Sequence, residues 1–204
     1  TTSNTEGMSG RTSSVVGYVT VMEGCNKYCS YCIVPFTRGH EVSKPVDMVL
    51  AEVRDLAENG YKEIHLLGQN VNAYNHKPSG VDFAKLLHLV ADVDGIERIR
   101  FITSHPNHLK EGIAAAMAER ENICKAVHLP PQSGNTRVLK EMRRRYSRLE
   151  YLDTVHVLRD FMPDIALSGD IIVGFPGETD EEFEDTMSLL EEVRFTSLFS
   201  FVFS

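Results

Sequence analysis

The chain has 204 residues, 42% of them hydrophobic and 25% charged, ordinary proportions for a globular protein that exclude a disordered tail, a collagen and a low-complexity array. Four cysteines are too few for a disulfide scaffold, and a chain of this length buries enough surface to need none. The formal charge of -8 is local, because the acids crowd between Glu178 and Glu192 with no basic residue among them, so it argues neither for nor against an anionic partner.

No run approaches the roughly 18 apolar residues of a membrane span, and Thr1 to Arg11 lacks the charged start and apolar segment of a signal peptide. The expectation is a cytoplasmic protein with no membrane partner. The chain begins without Met and ends in the apolar run Leu198 to Phe203, so it reads as part of a longer protein. Residues 1–14, rich in Gly, Ser and Thr, read as a linker, and 15–204 as one core domain cut after a sixth strand.

In chain order, β-branched runs predict strands at Val15 to Met22, Tyr61 to Leu67, Arg98 to Ile102, Lys125 to Leu129, Ile165 to Val173 and Ser197 to Phe203. Helical periods fall between them: Val49, Leu50, Val53 and Leu56; Phe83, Leu86, Leu87 and Val90; Ile113, Ala116 and Met117; Tyr151, Val155, Leu158 and Met162; Phe183, Met187 and Leu190. Ser147 with Glu150, and Thr179 with Glu182, form capping-box signatures.

Strands alternating with helices imply an α/β protein with a parallel sheet, and an open doubly wound sheet or a barrel fits the count. Polar or Gly/Pro-rich clusters follow each of the five complete strands, at Glu23 to Pro35, Gly68 to Asn72, Ser104 to Asn107, Pro130 to Gly134 and Gly174 to Gly177. Loops converging at one end of the strands favour a partial (β/α)6 TIM-like barrel with its site at that end.

The first loop carries Cys25, Cys29 and Cys32 in C-x3-C-x2-C spacing. Three thiolates and one open iron suit a 4Fe-4S cluster. Zinc would need a fourth ligand, for which His40 is nearest, and incidental thiols are the third reading. Cys124, beside a strand, reads as a small apolar residue.

The segment from Glu23 to Gly39 resembles the cluster loop of radical S-adenosylmethionine enzymes, and within them the methylthiotransferases. The resemblance continues through Leu66 to Asn72, Thr103 to Pro106, His128 to Gly134 and Ser168 to Glu178, and covers nearly all of the chain from about Arg11. It is nearest to the branch that converts N6-isopentenyladenosine at tRNA position 37 to its 2-methylthio form. Alternatives are the branches acting on a ribosomal protein or on threonylcarbamoyl-adenosine tRNA, and, outside the family, a zinc-stapled interaction module.

The resemblance implies that Cys25, Cys29 and Cys32 ligate three irons and that S-adenosylmethionine chelates the fourth, yielding a 5'-deoxyadenosyl radical on reductive cleavage. It also implies a second 4Fe-4S cluster in an N-terminal domain outside this chain, a tRNA partner gripped mainly by other domains, and an electron donor such as a flavodoxin-type protein. Tyr31 matches the family's adenine-facing aromatic. Gly68, Gln69 and Asn70 match the approach to the methionine amino group, or they make only a turn.

Ser104 matches a nucleotide-facing hydroxyl, with His105-Pro106 readable as strand termination. Gln132 and Ser133 follow two prolines and are expected to contact the cofactor from a stiff loop, although Pro131 departs from the family's small aliphatic residue. Asp170 and Gly174 belong to the fifth cofactor segment; a carboxylate there needs a partner, and Ile171, Ile172 and Val173 read as barrel core. Arg144 matches an arginine that pairs with the cofactor carboxylate. Arg143 and Arg145, where the family more often has Asn and Gly, read as cofactor contacts, an exposed basic helix end or RNA phosphate contacts.

Overall fold

A computed structural model describes residues 15–204, so the linker expected over residues 1–14 lies outside the described residues. Six parallel strands run in chain order as two three-stranded sheets, β1 (Val16–Thr20), β2 (Glu63–Leu67) and β3 (Arg98–Ile102) in one and β4 (Ala126–His128), β5 (Ala166–Val173) and β6 (Ser197–Val202) in the other, joined by a single parallel bridge between Ile99 and Ile123. Gly17 pairs with Ile64, Ile64 with Ile99, Val127 with Leu167 and Gly169 with Leu198. Between β3 and β4 the ladder is carried by Ile99 N to Asn122 O at 2.8 Å and Cys124 N to Ile99 O at 3.0 Å. Each crossover carries a helix, giving the partial barrel expected of repeated βαβ units.

The major helices are α1 (Val46–Glu58), α2 (Phe83–Ala91), α3 (Glu111–Glu119), α4 (Thr136–Glu141), α5 (Arg148–Phe161) and α6 (Asp180–Val193). Both expected capping boxes are formed, at Ser147 with Glu150 and at Thr179 with Glu182. Helix α4 was not expected, since six residues are too few to show a period. Asn135 starts it by accepting hydrogen bonds from the Arg137 and Val138 amides.

The core lies between sheet and helices, where Ile64, Leu66, Ile99 and Leu167 meet Val49, Val53, Leu86, Leu87, Met117, Val155 and Leu158. Each such side chain contributes about 1.5–3 kcal/mol by leaving water. Three expectations are corrected. Strand Val15 to Met22 is broken, because Met22–Glu23 turns away to pair antiparallel with Val42–Ser43. Of Ile171, Ile172 and Val173, read as core, only Ile171 is fully buried; Ile172 is half-buried against a separate cluster of Val138, Met142 and Phe175.

The third correction is the buried face of α6. It is Thr186, Leu189 and Val193 rather than Phe183, Met187 and Leu190, and Met187 is 39% exposed. Thr186 takes a core position because its hydroxyl accepts the Gly134 amide at 2.9 Å. The close approach needs glycine, since a Cβ on Gly134 would fall 2.4 Å from Asp185 O.

The opposite face of the sheet is polar. Residues alternate across a strand, and Glu63, His65, Arg98 and Arg100 share that face by register. Glu63 accepts from His65 at 2.7 Å, Arg98 at 2.8 Å and Arg100 at 3.1 Å. These bonds, His65 first, hold its carboxyl down at about 2.

Candidate functional site

The cysteine loop is shaped by its neighbours. Gly24 adopts φ +74°, where a Cβ would sit 2.1 Å from His40 O, and its amide donates to Gln69 Oε1 at 2.7 Å. Cys25 N donates to Gly39 O at 3.1 Å, Cys32 N to Cys29 O at 3.0 Å, and Ser30 N to Met142 O at 3.1 Å. The thiols are thus presented by a loop tied to β2's following turn on one side and to the end of α4 on the other.

Cys25, Cys29 and Cys32 line one cavity of about 370 Å³, within the size range of small-molecule sites. The loop after β2 reaches it with Gly68, Gln69 and Asn70, the loop after β3 with Ser104, and the segment after β4 with Gln132. Tyr31, Arg144 and Asp170 complete the expected residues found there. A Cβ on Gly68 would lie 2.6 Å from Met22 Cγ, so this position packs directly under the first loop. Gln132 has φ +70° and is strapped to β5, its amide donating to Asp170 O at 3.0 Å and its carbonyl accepting from Ile172 N at 2.9 Å.

Arg144 is the strongest charge in the cavity wall and is only 6% exposed. Its Nε donates to Tyr146 Oη at 3.0 Å, Nη2 to Pro130 O at 3.3 Å, and Nη1 approaches Tyr31 Oη at 3.4 Å and Cys29 Sγ at 3.6 Å. Among the described residues it has no carboxylate partner. Burial works against its charge, but the Tyr146 and Tyr31 hydroxyls and the Cys29 sulfur outweigh it and hold the guanidinium protonated. A buried cation without a counter-anion is costly unless something negative joins it.

Three buried polar atoms in residues of the same wall have no partner among the described residues: Asn70 Oδ1, Ser104 Oγ and His105 Nε2. Burial, then Arg144 and Lys27, push His105 down to about 2, so its ring is neutral. Burial likewise pushes the Cys25 thiol up, with the Lys27 amide pulling the other way. Asp170 has the partner its position required, since His128 Nε2 lies 3.2 Å from Asp170 Oδ2 while His128 Nδ1 lies 3.0 Å from Ser168 Oγ.

Two expected site residues are not brought to the cavity. Ser133 is buried with its hydroxyl 3.4 Å from Thr186 Oγ1 and accepting Asn135 N at 3.2 Å, a packing role. Gly174 donates to Glu178 Oε2 at 2.7 Å, and no residue of the fifth loop reaches the wall. Cys124 is half-buried and His40 is exposed, both away from the cavity. Sequence reasoning missed Lys27, His105 and His128 as wall residues. His128 was legible as an in-facing strand position beside two prolines; His105 was masked by Pro106.

The donor set fits an iron-sulfur cluster and S-adenosylmethionine. Among the described residues no three His, Cys, Asp or Glu side chains gather around one point as a single metal ion requires. Three thiols lining one cavity match in number a cluster in which three irons each take one thiolate. The unpaired guanidinium and the three partnerless atoms suit an amino acid and nucleoside placed beside it.

Residues 19–190 match the radical SAM superfamily, and the chain belongs to that family. It is therefore part of an enzyme class whose chemistry implies a 4Fe-4S cluster and S-adenosylmethionine. It is 52% identical over 191 residues to the tRNA-2-methylthio-N(6)-dimethylallyladenosine synthase of Trichlorobacter lovleyi, covering 93% of this chain and 44% of that protein. With the protein of the same name from Pelobacter propionicus it shares 54% over 194 residues, 95% of this chain and 44% of the relative.

The chain thus spans about 44% of the length of these relatives. Among solved structures, the radical S-adenosylmethionine methyltransferase TsrM from Kitasatospora setae, with cobalamin and a 4Fe-4S cluster, superimposes with TM-score 0.73 at 19% identity, over 92% of this chain and 36% of that one. Coproporphyrinogen III oxidase from Escherichia coli gives TM-score 0.63 at 16% identity, over 93% and 44%. Both likenesses concern the fold.

Proposed function

We propose that residues 15–204 form the catalytic core of a tRNA methylthiotransferase acting on N6-isopentenyladenosine at position 37. The observation that carries the reading is the meeting of three thiols, an uncompensated buried arginine and three partnerless polar atoms on one cavity, in a chain about half identical to relatives named for that product.

In this reading Cys25, Cys29 and Cys32 hold three irons and Arg144 pairs with the S-adenosylmethionine carboxylate. Asn70, Ser104 and His105 supply the unsatisfied polar atoms that meet its amino and ribose groups. Tyr31, Gly68, Gln69, Gln132 and Asp170 close the wall around the nucleoside, with Asp170 held by His128. A cluster held by Cys25, Cys29 and Cys32 would supply the reducing electron for cleavage of S-adenosylmethionine. The protein orients the cofactor and keeps water from it.

Cys124 lies apart from the cavity, so a second cluster as sulfur source would be held by residues outside these 204. The partners proposed are tRNA and a flavodoxin-type electron donor, and the compartment is the cytoplasm; no helix among the described residues is long and apolar enough to cross a membrane.

The test is anaerobic reconstitution followed by reduction with S-adenosylmethionine and isopentenylated tRNA. About four irons per chain, visible absorption and cofactor cleavage are expected. Stoichiometric zinc with no visible absorption overturns the cluster reading. Full-length protein that methylthiolates threonylcarbamoyl-adenosine tRNA or a protein, but not isopentenylated tRNA, overturns the substrate.

A further inference from the structure

A second pocket, of about 470 Å³, opens on the other side of the segment that carries Arg144. Lys140, Arg143 and Arg145 line it together with Tyr28. None of the three cationic side chains makes a hydrogen bond or ion pair among the described residues, whereas Arg98, Arg100, Arg120, Arg137 and Arg148 all have carboxylate partners. The acid in the pocket wall, Glu150, is occupied in its capping box, accepting Ser147 N at 2.7 Å and Ser147 Oγ at 2.8 Å.

The backbone separates the three arginines. Arg143 at φ 58° and Arg145 at φ 59° are left-handed, while Arg144 between them turns inward to the cysteine cavity and is buried. Left-handed geometry is unfavourable for an ordinary L residue and suits Gly or Asn better. Here the zigzag sends one guanidinium to the cofactor cavity and two to the adjacent pocket. Tyr28, also left-handed at φ 52°, stands between Cys25 and Cys29, so the pocket shares a wall with the cysteine loop.

We infer that this pocket binds the RNA phosphates next to the nucleotide entering the cavity, with Tyr28 offering a ring face to a neighbouring base. The inference rests on the RNA-substrate reading above. Unpaired guanidinium forks match phosphate oxygens. An aromatic beside a cationic groove is the usual arrangement for single-stranded nucleic acid. The pocket's lining by Tyr28 of the cysteine loop and by the two neighbours of Arg144 places a phosphate next to that loop.

The test uses Arg143→Asn and Arg145→Gly, which remove the cations while suiting the left-handed backbone. Thermal stability is expected to stay level or rise. The slope of log affinity against log salt for an isopentenylated anticodon stem-loop RNA is expected to fall by about one unit per arginine. Lys62→Gln, just before β2 at the opposite end of the sheet, should leave the slope unchanged, and S-adenosylmethionine affinity should stay constant in both arginine variants.

Wild-type RNA binding with unchanged slopes in the variants overturns the pocket and leaves the substrate reading standing. The titrations use the full-length protein, and no RNA binding by its wild type overturns both. A parallel loss of S-adenosylmethionine affinity assigns the arginines to the cofactor and overturns the pocket. Equal competition by polyglutamate does the same by showing a surface indifferent to phosphate and base.

Discussion

Arg144 Nη1 lies 3.6 Å from Cys29 Sγ although 115 residues separate them in the chain. The first loop and the turn after α4 therefore meet at the cavity wall, with the guanidinium anchored to Tyr146 and Pro130 rather than to a carboxylate. In the function proposed above, an anion of the cofactor would complete this arrangement.

Arg144→Lys is accordingly expected to weaken S-adenosylmethionine binding by about 1.5–3 kcal/mol, the range for hydrogen bonds to charged groups, because an ammonium cannot reproduce the planar fork. Isothermal calorimetry measures it, with a thermal melt as the check on folding. Unchanged affinity in a folded variant rejects the pairing.

Replacement of Cys25, Cys29 or Cys32 by Ala should each abolish the reconstituted cluster, since each removes one of three iron ligands. Cys124→Ala should retain about four irons per chain, its thiol being away from the cavity. Iron and sulfide quantification with absorption spectra decides it. Loss of iron in Cys124→Ala would show that the ligand set is misassigned.

Ser104→Ala should act with opposite signs on the free and bound protein. The hydroxyl is buried and has no partner among the described residues, a penalty of about 1–3 kcal/mol. Its removal should raise the thermal midpoint of the free protein and weaken S-adenosylmethionine binding several-fold. A variant that lowers stability while leaving affinity alone would place the hydroxyl in a structural role.

Glu63 predicts an acid limb in the stability curve. Its hydrogen bonds to His65, Arg98 and Arg100 hold the folded carboxyl at about 2 against an ordinary value of 4.5. The stabilisation is present above 4.5 and is lost as pH falls from there toward 2. Screening of the solvent-exposed Arg98 and Arg100 limits it to about 1 kcal/mol. Urea titrations of wild type and Glu63→Gln should differ at pH 7 and converge in that window; a constant difference would reject the linkage.

The period of the chain determined the layers of this protein. Val49, Leu86, Met117 and Val155 lie under the sheet as their spacing requires, and both capping boxes form because each is local, needing only residues three apart. The C-x3-C-x2-C loop was legible for the same reason. What tertiary structure alone decided were the relationships across the chain: Thr186 taking a core position because Gly134 lies against it, and Ser133 turning away from the cavity to that threonine. A hydroxyl counts as polar in any sequence pattern, and only a partner more than fifty residues away makes its burial favourable. Arg143, Arg144 and Arg145 show the same limit: the family resemblance singled out Arg144, but the left-handed backbone at Arg143 and Arg145 and the burial of Arg144 between them appear only in the tertiary structure.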